Sequence, residues 1–391
     1  MHVCFVSYWG LNEGLTQATV IPHLQILADR DDVSSISFIT IERKGNVEAL
    51  DMNKVEHFML STSDSITKKL FDKGKARKLL SDIHNKRPID LVIARSSLAG
   101  WLVLDFTRVQ DIRLAVESFE PHADYMLESG VWKKLDPRYV MTKGAEKRLK
   151  QQADWVLPVT RRYADQLVEQ EGVDPSKVLV MPCCVDPALF AFSPADRTTV
   201  RKDLGIAMDK IVGIYTGKLG GIYLEKEALE LFHSAHDYWG KKFHLIILSP
   251  DREKWQERLF ASGFDDASAS IRFVPLKEVP KYLSAADVAF SLHRPSPSKI
   301  GISPIKNAEY LANGLPVMLP EGIGDDSHMV EKWELGVAFA LDEVGRQAIF
   351  NRIAPMIQQR IAKRRIAEWA EKRRSFEIVK GHYETILSRL G

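Results

Sequence analysis

Residues 303–317 read SPIKNAEYLANGLPV, and this stretch predicts a short helix followed by a strand. Ser303 is expected to cap the helix. Pro304 is expected to be its first residue, because proline has a fixed φ and no amide hydrogen to leave unpaired there. Asn313 and Gly314 mark the far end, and the apolar run after them predicts a strand. The segment therefore predicts a helix of about ten residues that leads into a buried strand.

Lys306 and Glu309 lie three residues apart in this helix and so share one face. Lys306 falls in the first turn, where the backbone amides, including that of Ile305, and the helix dipole already favour an anion. A lysine there suits a bound phosphate, while Glu309, one turn further on, can accept hydrogen bonds from a ribose diol. The alternative is an ordinary surface ion pair between the two side chains.

A second candidate binding element is the run TGKLGGIY at residues 216–223, where a strand ending at Thr216 leads towards a helix beginning near Tyr223. Glycines let a backbone approach a pyrophosphate closely, and a lysine adds a point charge. A tight turn without function is the alternative. The candidate ligand-binding residues in this run are Gly217, Lys218, Gly220 and Gly221.

The string at residues 303–317 resembles SPxKxxEYxAxGxPV, a pattern that recurs in GT-B glycosyltransferases related to the large retaining family 4. The run RFVPLKEVPKYLSAADVAFS at residues 272–291 resembles the strand, helix and strand that precede that family's donor helix, and the glycine run resembles its GxLGGxY loop. The chain differs at Gly301, where the fuller signature has an acidic residue eight positions before Glu309. No carboxylate is therefore assigned to the hydroxyls of the sugar.

The resemblance implies a hexosyltransferase-type enzyme (EC 2.4) that moves a sugar from a nucleoside diphosphate sugar to a saccharide or lipid-linked acceptor, with retention and without a metal. The leaving diphosphate would be stabilised electrostatically. The implied catalytic residues are His122, Lys218 and Lys306. The implied nucleotide-sugar site consists of Gly217, Lys218, Gly220, Gly221, Ser249, Val274, Pro275, Leu276, Ser303, Pro304, Ile305, Lys306 and Glu309.

Acceptor-side residues are expected in the first half of the chain. The loop at residues 8–14 follows the first strand and contributes Gly10 and Gly14. The stretch at residues 117–132 mixes acidic, histidine and aromatic side chains, a composition that suits sugar binding, and contributes Glu120 and His122. A lone histidine is more often structural, and this alternative stays open. Arg95 is either an anion contact or an ordinary surface arginine.

Strands alternate with helices along both halves of the chain, which predicts parallel sheets covered on both faces. The expected strands are Val3–Ser7, Ser35–Ile41, Ile89–Ala94, Arg113–Glu117, Trp155–Thr160, Val178–Met181, Lys210–Thr216, Phe243–Leu248, Ile271–Val274, Val288–Leu292 and Leu315–Leu319. The predicted class is α/β, with two doubly wound Rossmann-like domains facing a cleft (GT-B) and C-terminal helices returning toward the first domain. Residues 1–186 plus about 375–391 are expected to form the first domain and residues 187–374 the second, with Pro187–Asp203 as linker.

Composition excludes several classes of protein. A net charge of +2 over 391 residues gives no bulk attraction to nucleic acid, and no run of about 20 apolar residues is present to span a bilayer. Three cysteines without metal-ligand spacing favour a reducing cytoplasm and no metal site. The acidic pair Asp29 and Asp31 is interpreted as solvated charge. Basic stretches at residues 67–80 and 359–374 leave peripheral contact with the inner face of a membrane open, against the simpler interpretation of solvated helix faces.

Two rival functions stay open. One is a GT-B-fold nucleotide-sugar epimerase, and the other is a catalytically silent sugar-binding partner subunit, which the missing acid at Gly301 leaves possible. The base, the sugar, the acceptor and the oligomeric state are not specified by the sequence. No cofactor is expected beyond the donor substrate itself.

Overall fold

The computed structural model describes residues 1–43, 47–62, 66–345 and 347–390, and the chain divides into two compact units. The N-terminal unit contains Met1–Pro182 together with the residues from Glu377 onward, and the C-terminal unit is Cys183–Phe376. The chain thus leaves the first unit, builds the second, and adds its last helix to the first. The sequence had placed these two crossings near Asp186 and residue 375.

The N-terminal unit is built on a six-stranded parallel sheet of order β3-β2-β1-β4-β5-β6. Its strands are β1 (His2–Ser7), β2 (Ser35–Glu42), β3 (Val55–Ser61), β4 (Leu91–Arg95), β5 (Arg113–Phe119) and β6 (Trp155–Pro158). Its helices are α1 (Gly14–Thr19), α2 (Ile21–Ala28), α3 (Ile66–Lys86), α4 (Ser97–Val109), α5 (His122–Glu128), α6 (Pro137–Gln152), α7 (Arg161–Glu169) and α16 (Glu377–Leu387). The inner strands are almost wholly buried, as expected for a sheet covered on both faces.

The C-terminal unit repeats the same plan, with a parallel sheet of order β12-β11-β10-β7-β8-β9. Its strands are β7 (Ile211–Thr216), β8 (Phe243–Leu248), β9 (Ala269–Arg272), β10 (Val288–Phe290), β11 (Val317–Pro320) and β12 (Gly336–Phe339). Its helices are α8 (Pro194–Asp203), α9 (Lys226–Trp239), α10 (Arg252–Ala261), α11 (Val279–Ala285), α12 (Ile305–Ala312), α13 (Asp326–Lys332), α14 (Gln347–Gln358) and α15 (Arg360–Arg374). Its core packs aromatic side chains such as Phe232, Phe290 and Trp255 against one another.

Both sheets have the strand order of a Rossmann fold, in which the direction of winding reverses between the first and the fourth strand of the unit. Ligands of open α/β sheets bind outside the carboxyl ends of the strands at this switch point. In the N-terminal unit the switch point lies between β1 and β4, and in the C-terminal unit it lies between β7 and β10. The glycine run follows β7 directly, so it lies at the switch point of its own sheet.

Several expected elements differ in the structure. The strand predicted at Val178–Met181 is wrong, because only a single bridge joins Val178 to the sheet. The predicted linker contains helix α8. The sequence prediction lacked β3 and β12. Both are edge strands: β3 is half-exposed and lacks a continuous apolar run, and β12 has only four residues.

Candidate functional site

The glycine run forms an irregular loop between β7 and α9. Gly220 and Gly221 have φ angles of 71° and 65°, values that residues with a Cβ rarely adopt. Among the residues that the structure describes, the amide groups of Lys218, Gly220 and Gly221 donate to no protein acceptor. The loop therefore presents unpaired N–H donors at the switch point, which is how backbone loops bind anions.

This loop is longer than the sequence predicted, because α9 begins at Lys226 and not near Tyr223. Its first part is held by Tyr215, whose hydroxyl donates to the carbonyl oxygen of Lys218 at 2.9 Å. The side chain of Lys218 itself is exposed. Leu224, at the far end of the loop, donates its amide to Leu292 after β10 at 2.9 Å. The loop thus bridges the ends of the two strands that flank the switch point.

Lys306 lies against the start of this loop. Its Nζ donates to the carbonyl oxygen of Thr216 at 2.5 Å, and it lies 4.9 Å and 4.4 Å from the ring centroids of Tyr215 and Tyr223. A Cβ added to Gly217 would come within 2.6 Å of the same nitrogen. The Lys306 amino group is therefore buried between two aromatic rings, at distances that suit a cation–π interaction when it is protonated.

Glu309 follows Lys306 on the buried face of α12. Burial raises the pKa of Glu309 to about 7, although the charge of Lys306 opposes this shift. Burial likewise lowers the pKa of Lys306 to about 7 against the influence of Glu309. In the described part of the chain the carboxyl of Glu309 forms no ion pair with Lys306 or another residue, so the alternative of a surface ion pair is wrong.

Two further residues, Tyr310 and His293, lie close to Lys306 or to its partner Thr216. Neither was predicted from the sequence to belong to the site. The hydroxyl of Tyr310 accepts from the amide of Thr216 at 2.9 Å and shares a hydrogen bond of 2.7 Å with its Oγ1, which ties α12 to the end of β7. His293 follows β10, and its ring lies 4.7 Å from that of Tyr223. Burial lowers the pKa of His293 well below its usual value, and the nearby Lys306 lowers it further, so the ring is neutral.

The Nδ1 atom of His293 is buried and has no hydrogen-bond partner among the described residues. Buried polar atoms of this kind usually find a partner, so an open acceptor or donor beside Lys306 marks a place for a polar ligand group or an ordered water. A sequence signal was available: His293 is the third residue after β10, at the end of a strand that borders the switch point.

Ser303 does not cap the donor helix as the sequence predicted. Pro304 precedes the first helical residue, Ile305, and the helix start carries no side-chain cap. The Ser303 Oγ instead accepts from Arg374 at 2.5 Å and from the amide of Cys183 at 3.3 Å. Arg374 is buried and also pairs with Asp326. The predicted cap was wrong because the buried guanidinium of Arg374, at the end of α15, donates to the Ser303 hydroxyl oxygen instead.

Other residues expected at this site lie at strand ends of the same sheet. Ser249 follows β8 and is buried, with its Oγ accepting from the amide of Asp251 at 3.0 Å. Val274, Pro275 and Leu276 follow β9, and Leu276 is exposed. Their neighbour Phe273 is 68% exposed, so its aromatic ring is largely accessible at this end of the sheet. These residues lie at the predicted edge of the sheet, and no contact between them and Lys306 is found in the described part of the chain.

On the N-terminal unit, Gly10 and Gly14 lie in and after the loop that follows β1. A Cβ on Gly10 would come within 2.4 Å of the Glu42 carboxyl, which also accepts from the amide of Leu11 at 2.8 Å. A side chain at position 10 would therefore have to displace the Glu42 carboxyl. Gly14 is exposed, begins α1, and has open space around it. An ion pair of 3.1 Å between Glu13 and Arg43 links this loop to the residue that follows β2.

His122 begins α5 in the N-terminal unit and contacts Glu120, with Nδ1 and Oε1 3.2 Å apart. Beneath it lies Glu146 of α6, a buried residue that the sequence analysis missed. One oxygen of Glu146 accepts from the amide of Ala123 at 2.9 Å, while the other has no partner in the described chain. Burial raises the pKa of the Glu146 carboxyl to about 7. The buried Glu146 carboxyl therefore supports the short helix that carries His122.

Arg95 is neither an exposed residue nor an open anion contact. It pairs with Glu117 at 3.1 Å, and both side chains are buried. Glu117 also accepts from the hydroxyl of Tyr383, and His23 lies 3.3 Å from the same carboxylate. This cluster links the ends of β4 and β5 to α16, so Arg95 serves the packing of the C-terminal helix on the N-terminal unit.

Within residues 1–43, 47–62, 66–345 and 347–390, no group of three or more His, Cys, Asp and Glu side chains is arranged to hold a metal ion. No helix in this part of the chain has the length and apolar character needed to cross a bilayer.

Residues 47–189 match the family model of Glycosyltransferase Family 4. A D-inositol 3-phosphate glycosyltransferase of Geodermatophilus obscurus is 39% identical over 74 residues, a stretch that covers 19% of this chain and 16% of that protein. The corresponding enzyme of Acidothermus cellulolyticus is 32% identical over 119 residues, which cover 29% and 26% of the two chains. The chain thus matches only 16% to 26% of the length of these two curated relatives.

Solved structures resemble the chain over its whole length. Sucrose-phosphate synthase from Thermosynechococcus elongatus has a TM-score of 0.76 at 15% identity and covers 100% of this chain and 99% of its own. The Anabaena protein HepE in complex with UDP has a TM-score of 0.71 at 16% identity, with 100% of both chains covered. At these identities the likeness establishes the fold.

The two wound sheets and these similarities define a protein of GT-B fold, the architecture of the glycosyltransferases to which it is similar. The expected resemblance to GT-B glycosyltransferases related to family 4 is confirmed, with the family model matching residues 47–189.

Proposed function

We propose that the chain is a glycosyltransferase that moves a sugar from a nucleoside diphosphate sugar to a saccharide or lipid-linked acceptor. The position of Lys306 carries this proposal: a buried ammonium group lies 2.5 Å from the end of β7, against a loop with unpaired amides, at the switch point of a Rossmann-like sheet. A diphosphate is the ligand group whose charge and size suit these donors.

The roles follow from the positions. Lys306, the exposed Lys218 and the amides of the loop stabilise the charge that develops on the leaving diphosphate. Glu309 lies one turn further along α12 and accepts hydrogen bonds from the ribose hydroxyls. The role of His122, contact with the transferred sugar, rests on the family resemblance alone. HepE was solved with UDP, so uridine nucleotides are the first donors to test.

Retention at the anomeric carbon and independence from a metal are part of the proposal. Both rest on the family resemblance. Product NMR that detects an inverted anomeric configuration would contradict the first. Unchanged turnover after exhaustive chelation is the expected result for the second, and loss of turnover that Mg²⁺ or Mn²⁺ restores would contradict it.

The central test is donor binding measured by calorimetry with UDP, GDP, ADP and dTDP sugars. Lys306→Ala and Glu309→Ala are each expected to weaken binding of the preferred nucleotide by at least tenfold. The matched controls Lys241→Ala and Glu257→Ala change exposed residues and should leave affinity unchanged. Unchanged affinity in both site variants would remove the proposal.

Two further measurements separate the rival functions. Formation of free epimerised sugar without any acceptor identifies an epimerase. Tight donor binding without turnover on any acceptor identifies a sugar-binding partner subunit. For His122, a His122→Ala variant with full turnover would show that the residue is structural.

A further inference from the structure

The loop before α6 and the first turns of that helix carry an exposed apolar group, here called the apolar tip: Val131, Leu135, Val140 and Met141. Leu135 is 90% exposed and Val140 58% exposed. Exposure of single apolar residues is ordinary, but four within eleven residues of chain form a local surface. Nothing in the proposed donor site uses these side chains.

The apolar tip stands on a fixed base. Asp136 caps α6 by accepting from the amide of Arg138 at 2.9 Å, and the Arg138 guanidinium lies 5.5 Å from the ring centroid of Trp132. Trp132 is buried against His122, with ring centroids 5.7 Å apart. The loop is therefore anchored, and its apolar side chains project from a held backbone.

Two of these side chains flank the start of α6. Leu135 immediately precedes the cap residue, and Val140 occupies the fourth helical position. In many helices the side chains at these two positions pack together as a hydrophobic staple. Here both are exposed, which leaves them free to enter an apolar environment.

Basic residues outnumber acidic ones around the apolar tip, and four of the basic residues form ion pairs. Residues 131–150 contain only two acidic residues, Asp136 and the buried Glu146. The basic residues of this segment are Lys133, Lys134, Arg138, Lys143, Lys147, Arg148 and Lys150. Lys133, Lys134 and Lys147 are exposed and form no ion pair with any residue that the structure describes. Apolar side chains rimmed by unpaired lysines match the surface of a bilayer that contains anionic lipids.

The two basic stretches singled out in the sequence suit this role less well. The side chains of residues 67–71 and 360–361 lie outside the described residues. In the described parts of these stretches, Lys73 pairs with Asp105, Arg365 with Glu334, and Arg374 with Asp326. No large apolar side chain in these described parts is exposed, so neither stretch combines its charge with an apolar surface that could enter a bilayer.

We propose that residues 131–147 form a docking surface for an anionic lipid bilayer. Val131, Leu135, Val140 and Met141 enter the boundary between headgroups and acyl chains, while Lys133, Lys134 and Lys147 contact anionic headgroups. This inference is independent of the donor site and goes beyond the proposed transfer reaction. It gives the N-terminal unit a surface at which a membrane-borne acceptor is met.

The test is co-sedimentation of the full chain with vesicles of phosphatidylcholine alone or mixed with phosphatidylglycerol. The vesicles contain no acceptor, so binding is measured apart from catalysis. The chain is expected to bind the anionic vesicles, and less so at high salt. Leu135→Glu and the double variant Lys133→Gln/Lys134→Gln are each expected to weaken binding by at least tenfold, since each basic residue near the surface contributes about fivefold.

Matched controls use the same chemistry elsewhere. Val109→Glu introduces a glutamate at an apolar position that is 68% exposed, and Lys241→Gln/Lys242→Gln removes another adjacent exposed pair. Both controls should bind vesicles like the parent chain. Equal losses in controls and test variants, or no binding to anionic vesicles, would overturn the proposal. A parent dimer in size-exclusion chromatography that Leu135→Glu dissociates, without vesicle binding, would assign the surface to self-association. Nucleotide affinity measured on the same variants shows separately whether the donor site is intact.

Discussion

Lys306 donates a hydrogen bond of 2.5 Å to the carbonyl oxygen of Thr216, and this contact joins the start of α12 to the end of β7. A lysine in the first turn of a helix is placed against the helix dipole, which favours anions there. The aromatic rings of Tyr215 and Tyr223 and one carbonyl group offset part of this cost. A bound anion, as the proposed donor site requires, would offset the rest of this cost.

Gly217→Ala tests the fit between Lys306 and the loop. The new methyl group would lie 2.6 Å from the Lys306 Nζ and 2.9 Å from the Tyr215 hydroxyl, at a φ of 153°. The ammonium group must then move, so nucleotide affinity should fall by at least tenfold in calorimetry. Gly74→Ala, at a helical position with nothing within 4 Å, is the control. It should leave affinity unchanged and stabilise the fold by up to about 1 kcal/mol. Normal affinity in Gly217→Ala would contradict the assignment of Lys306.

The pH dependence of nucleotide-sugar binding follows from the two buried groups of α12. Because the pKa of Lys306 is about 7 without ligand, the lysine is mostly neutral at pH 8 and must take up a proton to face a diphosphate. Because the pKa of Glu309 is also about 7, the carboxyl is mostly protonated at pH 6 and must lose a proton to accept two ribose hydroxyls. Affinity should therefore be greatest near pH 7 and fall on both sides, by up to about tenfold per pH unit.

This prediction is checked with a nucleotide sugar whose diphosphate diester keeps a constant charge over the range. Calorimetry at pH 8 in two buffers of different ionisation enthalpy should show net proton uptake. Lys306→Met should abolish the alkaline fall in affinity, and Glu309→Gln the acidic fall. An affinity independent of pH from 6 to 8, within about twofold, would show that neither group changes protonation on binding.

Local sequence signals predicted the features that depend only on backbone conformation. Gly220 and Gly221 were assigned to a loop before α9, and both have positive φ angles. Gly314 was expected to end the donor helix, and its φ of 78° agrees with that position. These assignments succeeded because a positive φ restricts the residue type whatever the tertiary contacts are.

Contacts between distant parts of the chain were not predictable in this way. The Ser303 hydroxyl does not cap the helix because Arg374, which is distant in sequence, donates a hydrogen bond to it. Glu146 lies in the charged run KGAEKRLK, which is typical of a solvated helix. Its carboxyl is nevertheless buried and accepts a hydrogen bond from the amide of Ala123 in α5. The edge strand β12 was not predicted because it begins with Gly336, and glycine is unfavourable in strands. A Cβ there would nevertheless come within 1.9 Å of the backbone of Val317.

Glu146 is expected to make the stability of the protein depend on pH. Its pKa is raised from 4.5 to about 7 in the folded chain by burial, so the folded state binds the proton more tightly than the unfolded state. The resulting stabilisation is present below pH 4.5 and is lost as pH rises through 7. At roughly 1.4 kcal/mol per pH unit, the change is on the order of 3 kcal/mol. Glu146→Gln keeps an oxygen for the amide of Ala123 and removes the titrating group.

The measurement is urea unfolding of the full chain at pH 5.5 and pH 8. The loss of stability between these two values should be smaller in Glu146→Gln than in the parent, while Glu169→Gln, an exposed position on α7, should show the parental loss. An identical loss in the parent and in Glu146→Gln would mean that the buried carboxyl does not titrate in this range.

The anchoring of the C-terminal helix is tested at Tyr383. Its hydroxyl donates to Glu117 and lies 2.8 Å from the Nδ1 of His23, and all three groups are buried. Burial acts to raise the pKa of Glu117, but His23 and Arg95 lower it to about 2, so the carboxylate is ionised and needs its donors. Tyr383→Phe leaves one oxygen of this anion without its hydroxyl donor, which should cost about 1–3 kcal/mol.

The expected readout is a lower midpoint of urea unfolding together with faster amide hydrogen exchange in α16, the element that depends on this contact. Tyr238→Phe is the matched control, because its hydroxyl donates to Asn351 at 2.8 Å on the surface and its loss should change stability by no more than about 0.5 kcal/mol. Equal effects of the two substitutions would show that the buried cluster contributes no more than a surface hydrogen bond. A loss confined to Tyr383→Phe would show that the last helix is held on the N-terminal unit by an ionised carboxylate and its donors.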